Sequence, residues 1–337
     1  MDYVGFGRTG LRVTRLCLGT MTFGHQCDEG TSRQILSAAF DAGITFIDTS
    51  NNYPIGSAER FGSTESIVGR WLDGRRDEVI LATKCNRPTG LRAWEAGNSR
   101  KNIMLSVEAS LRRLGTDYLD LYQVHAWDQA TPIDETLGAL DDLVTSGKVR
   151  YAGCANFRPY QLARTIGRAE LLGRARPESV QWRYNLLYRE AEQDLFPLCA
   201  AEGIGVLPYN PLAGGLLTGR HDRGRPTAGS RFTVGSSAAV YSARYWRADM
   251  FDLVDRLRLL AAEAGVSPAT LAVQWVLARA EVTSVLIGAT APGQLADAVQ
   301  AAGTSLASDL RLALDDLSSG FLPQPDVPWD TKTMPSR

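Results

Sequence analysis

Residues 44–53 read ITFIDTSNNY. A short run, Thr45–Asp48, stops on a carboxylate and passes straight into a polar loop ending at Tyr53. A strand apolar on both faces is buried on both faces, which points to a parallel sheet covered by helices. Seven other segments share this character: Leu16–Leu18, Val79–Thr83, Leu119–His125, Val149–Cys154, Ser179–Gln181, Gly205–Pro208 and Val285–Ile287. Helical patterns separate them. Ile103, Val107, Leu111 and Leu114 recur at steps of four, four and three, and Ile133, Leu137, Leu140 and Val144 repeat that stripe. Ser32–Ala42 and Glu190–Ala201 are each followed by a glycine suited to a helix C-cap, and Ser267-Pro268 opens a helix running to Ala278.

Strands alternating with helices predict a parallel sheet with right-handed crossovers. The alternation has no break into halves. No GxGxxG follows the first strand, and Gly5-Phe6-Gly7 comes too early and precedes no helix. The expected fold is therefore α/β, a (β/α)8 TIM barrel formed as a single domain over residues 1–337. Two regions interrupt the pattern. Residues 212–247 form a long loop after the seventh strand, rich in Gly, Arg, Ser and Ala. After residue 318 a tail rich in Pro and Asp reads either as a frayed terminus or as a flap over the barrel mouth, with Phe321 and Trp329 as anchors.

Composition narrows the function classes. Apolar residues make up 44% and charged residues 22%, and the net charge is -1. Without a clustered basic surface, a nucleic-acid partner is not expected. The five cysteines form no CxxC pair and their number is odd, which favours a reducing, cytoplasmic setting over a disulfide framework. The three histidines lie far apart in sequence, so no metal site is expected. The N-terminus lacks the character of a signal peptide, and no apolar run reaches the ~18 residues of a membrane span. The sequence leaves a homo-oligomer open.

In such barrels chemistry sits at the C-terminal ends of the strands. Asp48, Lys84 and His125 end the second, third and fourth strands, and Tyr53 follows Asp48 in its loop. Each alone has a plain reading: a turn residue, a solvated lysine, a packed tyrosine, a hydrogen-bonded histidine. Together they form a proton-delivery device. Tyrosine is a reluctant acid at neutral pH, and a nearby ammonium lowers its pKa. Asp48 would hold Lys84 in place. His125 would orient a carbonyl oxygen by a hydrogen bond. The device supplies a proton but no electron pair, so a hydride donor such as a nicotinamide is needed.

ITFIDTSNNY, then Ala82-Thr83-Lys84 and YLDLYQVH at Tyr118–His125, resemble the aldo-keto reductase superfamily along nearly the whole chain, from Gly10-Leu11 to SVLIGATAPGQ at Ser284–Gln294. PYNPLAGGLLTGR at Pro208–Arg220 is similar to the branch that holds bacterial reductases, potassium-channel β subunits and deoxysugar-biosynthesis enzymes. The resemblance implies NADPH as cofactor and a small-molecule carbonyl as substrate. It implies that Asn156 and Gln181 bind the nicotinamide carboxamide and that Tyr209 stacks on the ring. Asn210, Leu212 and Gly214 would follow the pyrophosphate, and Arg220 and Arg231 would take the adenosine 2′-phosphate, as two guanidiniums suit a phosphate dianion. Gln294 and Asp297 would lie near the adenine. Gly19, Thr20 and Met21 would lie beneath the cofactor, with Gly288 and Thr290 completing its site. Two positions depart from the pattern: Ala155 stands where serine is common, and Asp297-Ala298 where Glu-Asn is common.

Phe23, Trp94, Trp127, Tyr241, Trp246 and Trp329 are candidate walls of the substrate pocket, against the plainer reading of loop packing. Three functions remain open at this level: a general aldehyde or ketone reductase, a reductase of nucleotide-linked keto-deoxysugars, and a cofactor-binding sensor or partner subunit with little turnover. An intact tetrad including His125 favours the first.

Overall fold

A computed structural model of the chain describes residues 1–55, 60–235 and 237–321. The chain opens with an antiparallel hairpin, β1 (Tyr3–Gly5) and β2 (Arg12–Thr14), which lay outside the sequence expectations. Eight parallel strands then close on themselves: β3 (Leu16–Gly19), β4 (Phe46–Asp48), β5 (Ile80–Cys85), β6 (Leu119–Val124), β7 (Val149–Ala155), β8 (Ser179–Arg183), β9 (Gly205–Tyr209) and β10 (Val285–Ile287), the last pairing with β3. This is the (β/α)8 TIM barrel the alternation predicts. Strand β5 runs two residues past the expected end, because Lys84 and Cys85 pair with Gln123 and Val124.

The hairpin closes the floor of the barrel. Phe6 and Val13 are buried in one cluster with Cys17, Phe46, Ala82, Leu121, Leu207 and Leu286, which come from six barrel strands. Phe6 meets Phe46 edge to face at 6.2 Å. Gly7 follows with φ +56, where a Cβ would sit 2.6 Å from the carbonyl oxygen of Gly203. The Gly5-Phe6-Gly7 run thus serves a tight backbone crossing under the barrel.

The barrel is wrapped by α1 (Glu29–Asp41), α2 (Ser63–Leu72), α3 (Arg100–Leu114), α4 (Ile133–Thr145), α5 (Pro159–Leu172) and α6 (Leu195–Glu202). After β9 come α7 (Ala238–Tyr245), α8 (Ala248–Glu263) and α9 (Pro268–Leu277), and after β10 come α10 (Ala296–Gly303) and α11 (Ser308–Leu317). Helix α3 buries the predicted stripe Ile103, Val107, Leu111 and Leu114. Ser99 caps its first turn by accepting from the Asn102 N–H at 3.3 Å, and Gly115 ends it at φ 65. Helix α9 starts as expected, Ser267 accepting from the Thr270 N–H at 2.9 Å with Pro268 in the first turn. The helix expected over Glu190–Ala201 divides into a single turn at Glu190–Glu192 and α6. Pro197 lacks an N–H and its ring crowds the residue four positions back, so the helix forms only from Leu195 onward.

The region 212–247 is more structured than a loop. It holds a turn at Ala213–Thr218, then α7, and its aromatics join the main core: Phe232 and Phe251 of α8 each lie 4.9 Å from Trp246. Beyond α11, Phe321 is half-buried against the main core. The rest of the predicted flap, Trp329 included, lies outside the described residues. All five cysteines are buried and unpaired. Among the described residues, no single helix is long and apolar enough to cross a membrane.

His221 is enclosed by the aromatic cluster, 5.0 Å from Phe232 and 5.6 Å from Trp246, and its Nδ1 accepts from the Thr227 N–H at 3.2 Å. Burial, then the nearby Arg220 charge, push its pKa down from 6.5 to about 4. The unfolded chain therefore takes up a proton near pH 6.5 that the folded chain refuses until about pH 4. Stability falls as pH falls through that window, by about 1.4 kcal/mol per pH unit from this group. His221→Leu should flatten the dependence of unfolding free energy on pH between 6.5 and 4.5 by that slope, as read from urea titrations. An unchanged slope would remove His221 as its source.

Candidate active site

Four barrel strands send polar side chains to one point inside the mouth. Asp48, at the end of β4, accepts a hydrogen bond from the Lys84 ammonium of β5. Its other oxygen accepts from Gln123 Nε2 of β6 and Gln181 Nε2 of β8, both at 3.1 Å. Lys84 also donates to the Thr49 carbonyl at 2.8 Å. Lys84 is 0% exposed, so its charge is neutralised within the protein rather than by water. Burial alone would lower the Lys84 pKa, but the adjacent Asp48, with lesser help from Tyr53 and Cys17, raises it above the usual value. The side chain remains an ammonium.

Tyr53 lies above this pair, with Lys84 Nζ 5.4 Å from its ring centre. Its ring meets that of His125 edge to face, the centroids 6.1 Å apart. Burial raises the phenol pKa; Lys84 pulls it down, but by less. The sequence argument foresaw a net lowering, so this is a correction: desolvation of the phenolate outweighs the ammonium. His125 follows β6 and is pinned by its N–H to the Cys85 carbonyl at 2.8 Å. Burial, then the charges of Lys84 and Arg87, hold its pKa well below the ordinary value, so the ring is neutral. Its Nδ1 lies 3.3 Å from Ser50 Oγ, and Ser50 Oγ donates to Asn52 Oδ1 at 2.8 Å. Ser50 has one proton, so its choice of acceptor sets the tautomer of His125.

A cavity of about 670 Å³ opens over Asp48, Tyr53 and His125, a size usual for ligand sites. Lys84 lies beneath its surface. All of the predicted cofactor positions line it: Gly19, Thr20 and Met21 after β3, Asn156 and Gln181, Tyr209 and Asn210, Leu212, Gly214, Arg220 and Arg231, and Gly288, Thr290, Gln294 and Asp297 after β10. Asn156, at φ 58, donates to the His125 carbonyl at 2.9 Å and accepts from the Tyr209 hydroxyl at 2.8 Å. Asn210 Oδ1 accepts from the Gly214 N–H at 2.6 Å, closing the turn. Gly214 is required there: at φ +70, a Cβ would lie 2.5 Å from the Tyr241 ring. Asp297 accepts from Ser267 Oγ at 2.6 Å, so it ties α10 to α9 while lining the cavity.

Part of the cavity wall has the character of an anion site. Arg220, Ser230 and Arg231 share this wall, and Ser230 Oγ is buried with no hydrogen-bond partner. An orphaned hydroxyl beside two guanidiniums is a donor ready for a phosphate oxygen. These residues fit the phosphate of a dinucleotide.

The predicted substrate wall needs correction. Of its members only Tyr241 lines the cavity. Phe23 is fully buried in the main core. Trp94 is 45% exposed, with Lys101 Nζ 5.0 Å from its ring. Trp127 packs edge-on against Phe157 at 5.3 Å, and Trp246 belongs to the loop's aromatic cluster. Trp329 is outside the described residues. Near the tetrad the wall is instead Asn52, Ile55, Phe61, Arg87, Pro88 and Leu91. Gln123, Ser50 and Ser230 were also missed. Gln123 carried a signal, being an amide set between buried Tyr122 and Val124 in a barrel strand. A second concavity, between α2 and α3 and lined by Arg70, Asp73, Arg112 and Arg113, holds none of these groups. Among the described residues no cluster of His, Cys, Asp or Glu is placed to hold a metal.

A model of the aldo/keto reductase family matches residues 15–317. The chain is 38% identical to the uncharacterized oxidoreductase YrpG of Bacillus subtilis, over 95% of this chain and 97% of that protein. It is 35% identical to L-glyceraldehyde 3-phosphate reductase of Escherichia coli, over 94% and 92%. It is also 34% identical to a probable voltage-gated potassium channel subunit beta of Oryza sativa, over 89% and 91%. With the barrel and the matched span together, the chain belongs to the aldo/keto reductase family of oxidoreductases.

Proposed function

We propose that this chain reduces an aldehyde or ketone to the alcohol with NADPH, working as one barrel domain, with Tyr53 as the proton donor. The observation that carries the reading is one continuous cavity whose wall holds Tyr53 and His125 together with Arg220, Ser230 and Arg231. A bound nicotinamide supplies the hydride. Asn156, Gln181 and Tyr209 would hold the nicotinamide end, Arg220, Ser230 and Arg231 the 2′-phosphate, and Gln294 and Asp297 the adenine.

The chain's own residues deliver the proton and position the carbonyl. Tyr53, like any phenol, is protonated at neutral pH, and burial raises its pKa further. As negative charge grows on the substrate oxygen, the phenol proton moves to it. The Lys84 ammonium then stabilises the phenolate left behind. Asp48 keeps that ammonium fixed. While Ser50 donates to Asn52 Oδ1, Nδ1 of His125 can only donate to Ser50; if the Ser50 proton turns to Nδ1 instead, the proton of the neutral ring is on Nε2, free to donate to the carbonyl oxygen. A wholly non-catalytic role as a sensor or partner subunit would leave this charge arrangement without a purpose.

Tyr53→Phe should lower kcat/KM for 4-nitrobenzaldehyde by roughly 10²–10⁴-fold, the usual worth of a positioned acid. NADPH should still bind, as followed by its fluorescence. Wild-type turnover in this variant would exclude Tyr53 as the donor. The arginine assignment is tested separately. Arg220→Ala with Arg231→Ala should weaken NADPH by about 10- to 100-fold, the loss of charge-assisted hydrogen bonds, and leave NADH nearly unchanged. Equal weakening of both nucleotides would place the 2′-phosphate elsewhere.

A further inference from the structure

His221 directly follows Arg220, which lines the cavity, and is itself only 3% exposed. Its two ring nitrogens are placed differently. Nδ1 accepts from the Thr227 N–H at 3.2 Å. The ring is neutral at neutral pH, because burial and then the Arg220 charge hold its pKa at about 4. A neutral imidazole that accepts at Nδ1 carries its proton on Nε2. Nε2 is buried and has no hydrogen-bond partner among the described residues. A buried donor left unpaired is costly, and a phenylalanine would fill the same aromatic surroundings without that cost.

The neighbours of Nε2 show what kind of partner fits. Gly215 lines the cavity at φ +102, and a Cβ built on it would lie 3.6 Å from His221 Nε2 and 3.5 Å from Arg220 Nη2. The glycine thus leaves a hollow bordered by both an imidazole N–H and a guanidinium. Its own backbone is engaged: the N–H donates to the Leu212 carbonyl at 2.8 Å, and the carbonyl accepts from Thr218 Oγ at 2.6 Å. Two side-chain donors, one of them cationic, suit the oxygen of an anion. The same imidazole also steadies the rest of that wall. Thr227, which it holds, donates from Oγ to the Arg220 carbonyl at 3.3 Å and accepts from the Ser230 N–H at 3.3 Å. His221 therefore ties the turn that leads to Ser230 and Arg231 to the segment that carries Arg220.

We infer that the Nε2–H of His221 donates a hydrogen bond to a phosphate oxygen of the bound dinucleotide, over Gly215 and beside Arg220. This deepens the cofactor reading and rests on it. Two groups of that molecule offer the same chemistry, the adenosine 2′-phosphate and the pyrophosphate, and the test separates them. His221 takes no part in the proton transfer from Tyr53; its contribution lies in nucleotide affinity.

The test is a fluorescence titration of NADPH and of NADH into the wild type, His221→Asn and His221→Gln. Asparagine can accept from Thr227 where Nδ1 does but has no group at the place of Nε2; glutamine can put an amide N–H there. Both lose the ring, so an effect of packing alone would appear in both. His221→Asn should weaken NADPH by about tenfold or more, the worth of a hydrogen bond to a charged group, and His221→Gln should keep most of the affinity. A loss confined to NADPH identifies the 2′-phosphate, and an equal loss for NADH identifies the pyrophosphate. Affinities that are alike in wild type and His221→Asn, or that fall equally in the two variants, overturn the inference and leave cofactor binding standing. A wild type that binds neither nucleotide overturns the cofactor reading, and this inference with it. A second measurement uses the folded wild type alone. The chain has three histidines, so the imidazole N–H signals of 15N-histidine protein are few. The Nε2-bound proton of His221 should move downfield when NADP+ is added, as an unpaired donor gains an anionic acceptor. A signal that stays in place as the nucleotide saturates the protein overturns the inference.

Discussion

The ion pair between Asp48 and Lys84 is the constraint on which the mouth of this barrel depends. Burying either charge alone is costly, and removing one partner of such a pair commonly costs about 3–5 kcal/mol. The barrel meets that cost by surrounding one carboxylate with donors from three other strands: Lys84 of β5, Gln123 of β6 and Gln181 of β8. The same hydrogen bonds that satisfy Asp48 therefore set the relative positions of β4, β5, β6 and β8 at their functional ends. Stability and site geometry are one network here, and a change to any member moves both.

That network also decides which groups are charged. Lys84 stays cationic because Asp48 outlasts the penalty of burial. At Tyr53 burial outweighs the nearby Lys84 charge and favours the neutral phenol, and at His125 burial and the Lys84 and Arg87 charges together keep the ring neutral. Neutrality is the useful state for each, since a protonated phenol has a proton to give and a neutral imidazole can be either donor or acceptor. The ammonium below Tyr53 has its main effect once negative charge reaches that oxygen. A fixed charge placed where charge will develop, and already compensated before it does, is preorganisation in the electrostatic sense.

What could be read from the sequence follows from the same physics. Strands buried on both faces leave long apolar runs, so the eight barrel strands were legible, and the positions where those runs stop pointed to Asp48, Lys84 and His125. Hairpin strands of three residues, Tyr3–Gly5 and Arg12–Thr14, are too short to show a period. The large aromatics misled for a different reason. Trp94, Trp127 and Trp246 sit in segments near the mouth, but loop residues have no periodicity to tell which way a side chain points. Trp127 and Trp246 turned toward the nearest apolar surface, Phe157 and Phe232 respectively, and Phe23 into the core. Arg87 was missed because its entry into the cavity depends on the positive φ of Asn86, which residue type alone does not announce.

The parts of the cavity wall are held by different means, and this bears on how a ligand is taken up. The strand ends that carry Asp48 and Lys84 are rigid because the barrel is closed, and loop residues such as Asn52 and Phe61 complete the wall there. Another part of the wall belongs to the region after β9, and its shape comes from packing. Asn210 closes the turn onto Gly214, and Gly214 makes room for the Tyr241 ring. Phe232, Trp246 and Phe251 pack against one another and onto the main core. A loop packed in advance loses less freedom when a ligand arrives than a loop that must fold around it. Closure of the barrel fixes the strand ends, packing onto the core fixes the region after β9, and Gly214 is the joint where its turn meets Tyr241.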